Sequence, residues 1–430
     1  MGYQPNLYKK LFHFTRRFAA KRWLKSMPAT QIALTGSQGK TNTAALLLEL
    51  LKTVGPTVAT DVNLDTTFNV PLTALKVRPS TRFVIFELGV DHQHEMDEHL
   101  QIVKPEIAVI TGISPVHTDQ DHFGSLDNLI NEKRKLITAL PKTGYAVLNY
   151  DDQIVRAMAP FTRAQILWYG TDPKHCHLWT DQVQLTLKGT TFLFHNNLQS
   201  TYEVNYDPTN QSKITTQLIG KHHQYTVMAS LLTIIALQKI KRTTVSLKSL
   251  VQKIEAVPPL PGRMSLEKGP LGTIILNDSL RANPASTKSG LQTLSAITGV
   301  KGRKFAVLAE MGELAESQRE HENIGRLIAG LKIDYFVAIG PWQKFTAQTA
   351  AGQGMDRSKV FWVENVQEAA DVLKPIVKRG DLIYLKGSLL RHVNRILMIL
   401  EGQSVICHAT LCPFYSPCAG CRYLTAGYKT

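Results

Sequence analysis

No run of eighteen apolar residues occurs anywhere in the 430-residue chain, which excludes the usual membrane-spanning helix. The first residues lack the apolar core and small-residue cleavage site of a secretory signal, so the expectation is a cytoplasmic protein. Cysteine is nearly absent: Cys176 stands alone until Cys407, Cys412, Cys418 and Cys421 fall within fifteen residues. Scattered disulfides are not that pattern; a reducing compartment and a metal-binding tail are. Acid is missing from both ends. Residues 1–28 hold seven Lys/Arg and no Asp or Glu, and beyond Glu401 the tail carries Arg422 and Lys429 and no acid. The net charge of +15 therefore sits disproportionately at the termini. That suits an end that binds a surface better than a nucleic-acid-binding core, and nucleic acid is not an expected partner. No internal repeat and no low-complexity segment is present.

What is there reads mostly as alternating strand and helix. Residues 7–27, "LYKKLFHFTRRFAAKRWLKSM", predict a basic helix with Leu7, Leu11, Phe14 and Phe18 near one face, ended by Pro28. "QIAL" precedes a glycine loop, and "TNTAALLLELLKTV" follows it as a helix. "FVIF" ends at Glu87, "IAVITGI" just before His117, and "YAVLN" at Asn149. This order predicts a largely parallel sheet, whose carboxyl edge is where ligands gather. Glu87, His117 and Asn149 would share that edge with the loop. Residues 160–218 break the rhythm with period-two patterns and predict an antiparallel excursion. After "VPPLPGR" (Val257–Arg263) a second α/β series begins, with "TIIL", "KFAVLA", "DYFVAIG", "KVFWV" and "DLIYL". The expected divisions are a basic helix over 1–30, an ATP-binding domain over 31–258, a Rossmann-like α/β domain over 259–402, and a cysteine-rich tail over 403–430.

The loop reads Gly36-Ser37-Gln38-Gly39-Lys40-Thr41. Glycines let backbone N–H groups turn toward an anion, and the helix that follows adds its positive end. Lys40 would meet the outer phosphates of ATP and the Thr41 hydroxyl would meet Mg²⁺. The spacing is shorter than G-x-x-x-x-G-K, because Leu34 stands where the first glycine would be. An ordinary strand-to-helix turn is the alternative.

The loop "TGSQGKT" resembles the T-G-[ST]-x-G-K-[ST] of the Mur ligases, ATP-dependent amide-forming enzymes, and the likeness continues over roughly residues 31–400. "FELGVDHQHEMDEHLQIVKPEIAVIT", "HTDQDHFGSLDNLINEKRKL", "AVLNYDD", "NDSLRANPAS", "VLAEMGEL" and "YLKGS" look like the branch that adds D-alanyl-D-alanine to a peptidoglycan precursor. The resemblance implies that ATP phosphorylates a carboxylate on a muramyl-peptide acceptor. The amine of an amino acid or dipeptide then displaces phosphate from the acyl phosphate. It implies Thr41 and Glu87 as ligands of a first Mg²⁺, His117 at a second, and a carbamylated Lys133 in "NEKRKL". It implies Asn149, Asp151, Arg263 and Asp278 at the nucleotide, and Asn283, Lys386 and Ser388 at the substrate.

Three departures bear on specificity. The family's H-N-x-x-N reads His222-His223-Gln224-Tyr225-Thr226, so His223 replaces the amide expected near adenine. Leu280 and Arg281 alter D-S-Y-N-A-N-P, which helps define the incoming amine. Asn69 stands where glycine is usual. Typical members also carry a uridine-nucleotide domain before the loop, whereas about 30 residues precede Gly36 here, fewer than a self-standing domain needs. A lipid-linked acceptor is therefore one alternative. Residues 7–27 could lie on an anionic membrane surface, placing the enzyme peripherally at the inner face. A non-catalytic ATP-binding partner protein is the alternative of a different class. In the tail, C-x4-C-x5-C-x2-C with His408 beside the first cysteine suits tetrahedral Zn²⁺, with a 4Fe–4S cluster as the other option.

Overall fold

The computed structural model describes residues 7–62, 64–114, 122–198, 211–241, 245–312, 314, 316–414 and 418–427, with backbone alone at 7–11 and 211. The chain divides into two compact units. One comprises residues 1–183, 191–215 and 222–257; the other comprises 184–190, 216–221 and 258–430. Among the described residues, no helix is long and apolar enough to cross a membrane.

The first half begins with α1 (Leu7–Lys25), β1 (Thr30–Thr35), α2 (Lys40–Leu51), β2 (Thr57–Ala59), α3 (Thr66–Lys76) and β3 (Phe83–Glu87). It continues with α4 (Glu95–Ile102), β4 (Ile107–Ile110), α5 (Leu126–Thr138), β5 (Tyr145–Asn149), α6 (Gln153–Met158) and β6 (Gln165–Gly170). Strands β7 (Leu178–Thr186), β8 (Gly189–Asn196) and β9 (Gln211–Thr216), then α7 (His223–Lys241) and α8 (Leu247–Ala256), complete it. The nine strands form one sheet in the order β2-β3-β1-β4-β5-β6-β7-β8-β9. Pairing from β2 to β7 is parallel, with Ile32 opposite both Ile85 and Ile107. Only Leu187 and Lys188 link the neighbouring β7 and β8, a connection short enough only for an antiparallel hairpin.

Both faces of the parallel strands are covered. Ile32, Leu34, Phe83 and Ile85 point into a core shared with α2, α7 and α8, while Ala33, Val84 and Phe86 point into a second core toward α1, α3, α4 and α5. That is why these strands read as continuous apolar runs without polar alternation.

The α1 helix is packed through its Ala20 and Leu24 side. Ala20 and Leu24, four residues apart, are buried, and the Trp23 indole donates to the Val77 carbonyl at 2.8 Å. Phe14 and Phe18, which the sequence places near one face with Leu7 and Leu11, are 68% and 53% exposed. The small Ala20 lets the helix approach the layer below it, and a phenylalanine in that place would hold it off.

The second half carries β10 (Ser265–Lys268), β11 (Ile274–Asp278), α9 (Pro284–Ala296), β12 (Lys304–Ala309), α10 (Ser317–Ala329), β13 (Tyr335–Ile339) and α11 (Gln343–Gly352). It ends with β14 (Val360–Val363), α12 (Val366–Ile376), β15 (Leu382–Lys386), α13 (Arg395–Leu400) and α14 (Tyr423–Ala426). Its sheet runs β10-β11-β15-β12-β13-β14, parallel except for β10 against β11.

Candidate active site

The loop after β1 is built against the loop after β4. A Cβ at Gly36 would lie 2.2 Å from the Thr111 hydroxyl and 3.0 Å from the Gly112 carbonyl, so only glycine fits. Ser37 N–H donates to Gly112 O at 2.7 Å, the Ser37 hydroxyl donates to Ser114 O at 2.9 Å, and the Thr111 hydroxyl donates to Gln38 O at 2.6 Å. Gly39, at φ +84°, takes the left-handed conformation that starts α2. The first N–H groups of a helix have no carbonyl partner within it, so such an end suits an anion.

Four side chains meet there. Lys40 Nζ donates to Gly36 O at 2.6 Å, and the Thr41 hydroxyl donates to Glu87 Oε1 at 2.9 Å. Lys133, from α5, is buried, and its Nζ donates to the same Gly36 O at 3.2 Å. Two amines thus converge on one carbonyl. Burial, and then the Lys40 charge, hold the Lys133 amine well below its ordinary pKa. Its neutral form is favoured, and a carbamate needs that form: the neutral Nζ bonds to dissolved CO₂, one proton leaves, and the amine becomes an anion.

This geometry fits the group that the loop implies. A hydroxyl and a carboxylate already share a hydrogen bond at the mouth of an anion-binding helix, and both are hard oxygen donors of the kind Mg²⁺ takes.

Asn149 ends β5 and reaches Thr111 O at 3.3 Å; its own carbonyl oxygen accepts from Asp151 N–H at 3.1 Å. The Asp151 carboxylate accepts from Thr171 N–H at 2.9 Å and from the Tyr225 hydroxyl at 2.8 Å, tying β6 to the start of α7. His223, in the first turn of α7, is buried with neither ring nitrogen hydrogen-bonded, and burial pushes its pKa well down. A neutral imidazole in that place offers a ring face and one acceptor nitrogen. Asn69 is buried and holds both N–H and C=O of Asp61 in place, at 3.1 and 2.7 Å. His117 lies outside the described residues.

In the other unit, β11 and β15 bring Asp278 and Lys386 into register, with Nζ–Oδ2 at 2.7 Å. The Tyr384 hydroxyl donates to the same Oδ2 at 3.1 Å. Asn283 is occupied locally: its side chain accepts from Ser286 N–H at 2.9 Å and caps α9. Arg263 follows Gly262, whose Cβ would meet Leu280 Cγ at 2.8 Å, so the unusual Leu280 packs on that turn. Ser388 follows β15, where its carbonyl accepts from Arg391 N–H at 3.0 Å.

Two arrangements escaped the sequence reading. Asp152 accepts from Ile113 N–H at 2.7 Å and caps α6 through Ile154 N–H, so it fastens the loop after β4 to the start of α6. The "DDQ" that opens a short helix was the available signal. Glu310, buried after β12, pairs with Arg391 at 2.7 Å and accepts from Trp342 N–H at 2.8 Å. No local pattern links those residues.

The tail differs from expectation. Cys407, Cys412, Cys418 and Cys421 all line one small cavity. Yet among the described residues no group of three or more His, Cys, Asp or Glu is arranged to hold a metal ion. Arg395 shares that cavity. Its buried guanidinium donates to the carbonyls of Cys407 (2.7 Å) and Ala409. Those bonds fasten the segment that carries the first two tail cysteines.

Comparison with known proteins places these geometries in a lineage. Residues 34–234 match the Mur ligase middle domain and residues 262–389 the Mur ligase, glutamate ligase domain. A UDP-N-acetylmuramoyl-tripeptide–D-alanyl-D-alanine ligase of Mycobacterium tuberculosis is 28% identical over 379 residues, spanning 84% of this chain and 70% of the relative. The enzyme of that name in Escherichia coli is 27% identical over 335 residues, 77% of this chain and 69% of its own. Among solved structures, MurF from Acinetobacter baumannii superposes with a TM-score of 0.76 at 25% identity, covering 90% of this chain and 81% of that one. MurF from Thermotoga maritima, solved with ADP, shares the fold with a TM-score of 0.76 at 20% identity, over 91% and 84% of the two chains.

Proposed function

The chain belongs to the Mur ligase family of ATP-dependent ligases, and on that premise we propose that it joins the terminal carboxylate of a muramyl-peptide acceptor to the amine of D-alanyl-D-alanine. ATP supplies the phosphoryl group that activates the carboxylate, and Mg²⁺ screens the charge of the phosphates. The observation that carries this reading is the meeting of Lys40 and Lys133 on Gly36 O, beside the Thr41–Glu87 pair.

The chain's own groups divide the work. The loop from Gly36 to Gly39 and the start of α2 hold the phosphates by backbone N–H groups. Lys40 swings from the Gly36 carbonyl to the transferring phosphoryl and offsets its charge as it moves. Thr41 and Glu87 hold Mg²⁺ through oxygen. Lys133, as its carbamate, presents further oxygens to a metal and removes the clash of two cations at one carbonyl. Asn149 and Asp151 position the nucleotide near the start of α7, where His223 offers its ring in place of an amide. In the second unit, Arg263 and Asp278 serve the nucleotide, and Lys386, Ser388 and Asn283 the substrate. Asn283 acts through its backbone and the cap that it makes, because its side chain is already engaged. Dependence on ATP places the reaction in the cytoplasm.

The test supplies ATP and Mg²⁺ with muramyl-peptide acceptors, with and without uridine diphosphate, and a panel of amino acids and dipeptides. The expected product has the mass of acceptor plus D-alanyl-D-alanine less one water. Turnover with single amino acids and none with dipeptides would overturn the amine assignment. No product with any pair would favour a non-catalytic ATP-binding role.

A further inference from the structure

The exposed aromatic side chains of α1 do not stand singly. Phe12, Phe14 and Phe18 are 62%, 68% and 53% exposed, and Val62, Leu64 and Phe68, just before and within α3, are exposed as well. The His13 ring packs edge-on against Phe68 at 4.9 Å. The Arg16 guanidinium lies 5.6 Å from the centre of the Phe12 ring and 5.5 Å from that of Phe68, joining the two helices into one surface. Arg22 lies over Phe18 at 5.3 Å, with exposed Lys21 and Lys25 beside it. No acidic residue occurs in residues 1–28. Among nearby acids, Glu98 pairs with Arg17, Asp61 pairs with Lys76, and Asp65 caps α3.

The topology gives this patch a place. The start of α1 meets the start of α3 through His13 and Phe68, and its end meets the end of α3 through Trp23 and Val77, so the two helices run in parallel. The start of α3 is tied to the carboxyl edge of the sheet: the Thr66 hydroxyl donates to Gly89 O at 2.8 Å, two residues past Glu87. Phe12 and Phe68 therefore lie at the edge that holds Thr41 and Glu87, and the exposed cations continue down the helix from there.

We infer that this patch docks the protein on an anionic lipid surface. The occupant is argued from chemistry. Aromatic rings settle at the headgroup level, and Lys and Arg next to them meet lipid phosphates. A duplex nucleic acid, its bases stacked inside, would engage the cations and leave the phenylalanines in water. Docked through Phe12, Phe14, Phe18 and Phe68, the protein brings the carboxyl edge of its first sheet near the membrane. Docking does not depend on the reaction performed at that edge.

Co-sedimentation of the full-length protein with phosphatidylglycerol–phosphatidylcholine vesicles, and with phosphatidylcholine vesicles alone, tests this at low and high salt. The wild type is expected to pellet with the anionic vesicles at low salt, stay in solution with the neutral ones, and be released by salt. The double variant Phe14→Ser, Phe18→Ser and the double variant Lys21→Glu, Arg22→Glu should each bind about tenfold more weakly or worse. Both alter exposed side chains outside the ligase machinery, so thermal unfolding and ligation in solution should be unchanged. Wild-type protein left in the supernatant with anionic vesicles at low salt would overturn the inference. So would binding that survives both double variants. Retention by an acidic protein or by nucleic acid without vesicle binding would assign the patch to that partner.

Discussion

Lys40→Ala is expected to lower ligation by at least two to three orders of magnitude while leaving the protein folded. Lys40 is the cation at the start of α2, and its hydrogen bond to Gly36 O is the kind that is given up when an anion arrives. Losing a charge aimed at a developing transition-state charge costs about 3–4 kcal/mol of barrier. The same substitution costs little stability. The hydrogen bond is half-buried and worth about 1 kcal/mol, and Lys133 still donates to the same carbonyl. Removing Lys40 also relieves the charge that disfavours protonated Lys133. Initial rates and thermal unfolding, measured side by side, check both halves. Near-wild-type turnover would remove the phosphate role from this loop.

Lys133→Ala should be nearly inactive for a different reason. A buried ammonium next to Lys40 is costly, and burial outweighs the help it draws from the Gly36 carbonyl and the charges of Asp91, Glu95 and Glu132. A carbamate turns that liability into an anion that can bind metal. Alanine removes the anion and leaves space, so formate, acetate or propionate should restore part of the activity by occupying it. Lys133→Arg keeps a cation that cannot react with CO₂, and it should be inactive and not rescued. A structure with ATP and Mg²⁺ in which Lys133 is a free ammonium away from the metal would contradict this role.

Much of the fold was legible because parallel strands buried on both faces leave a strong trace: Ile32, Ala33 and Leu34 are apolar whichever way they point. The loop was legible because glycine, lysine and threonine stand in one short stretch with a strand before and a helix after. The resemblance named Lys133 and Glu87, and the sheet and α5 bring both to that loop. What could not be read depends on distant partners. Lys386 and Asp278 are 108 residues apart and meet only because β15 lies beside β11. Asp152 looks like an ordinary helix cap until its other oxygen is seen to hold Ile113 N–H. In α1 the sequence left open whether the face with Phe14 and Phe18 packs on the domain, and it is Ala20, whose small side chain permits close packing, that is buried. The tail cysteines suggested a metal by spacing, but spacing could not reveal that Arg395 reaches into the same cavity.

The chemistry itself is tested most directly by following oxygen. Acceptor labelled with ¹⁸O in its reacting carboxylate, incubated with the wild-type protein, ATP, Mg²⁺ and D-alanyl-D-alanine, should yield amide product and inorganic phosphate in equal amounts. Each phosphate should carry one ¹⁸O, because the carboxylate oxygen that attacks the γ-phosphorus leaves with it when the amine displaces the acyl phosphate. Phosphate released without label, or released equally well without acceptor and amine, would contradict ligation through an acyl phosphate at this site.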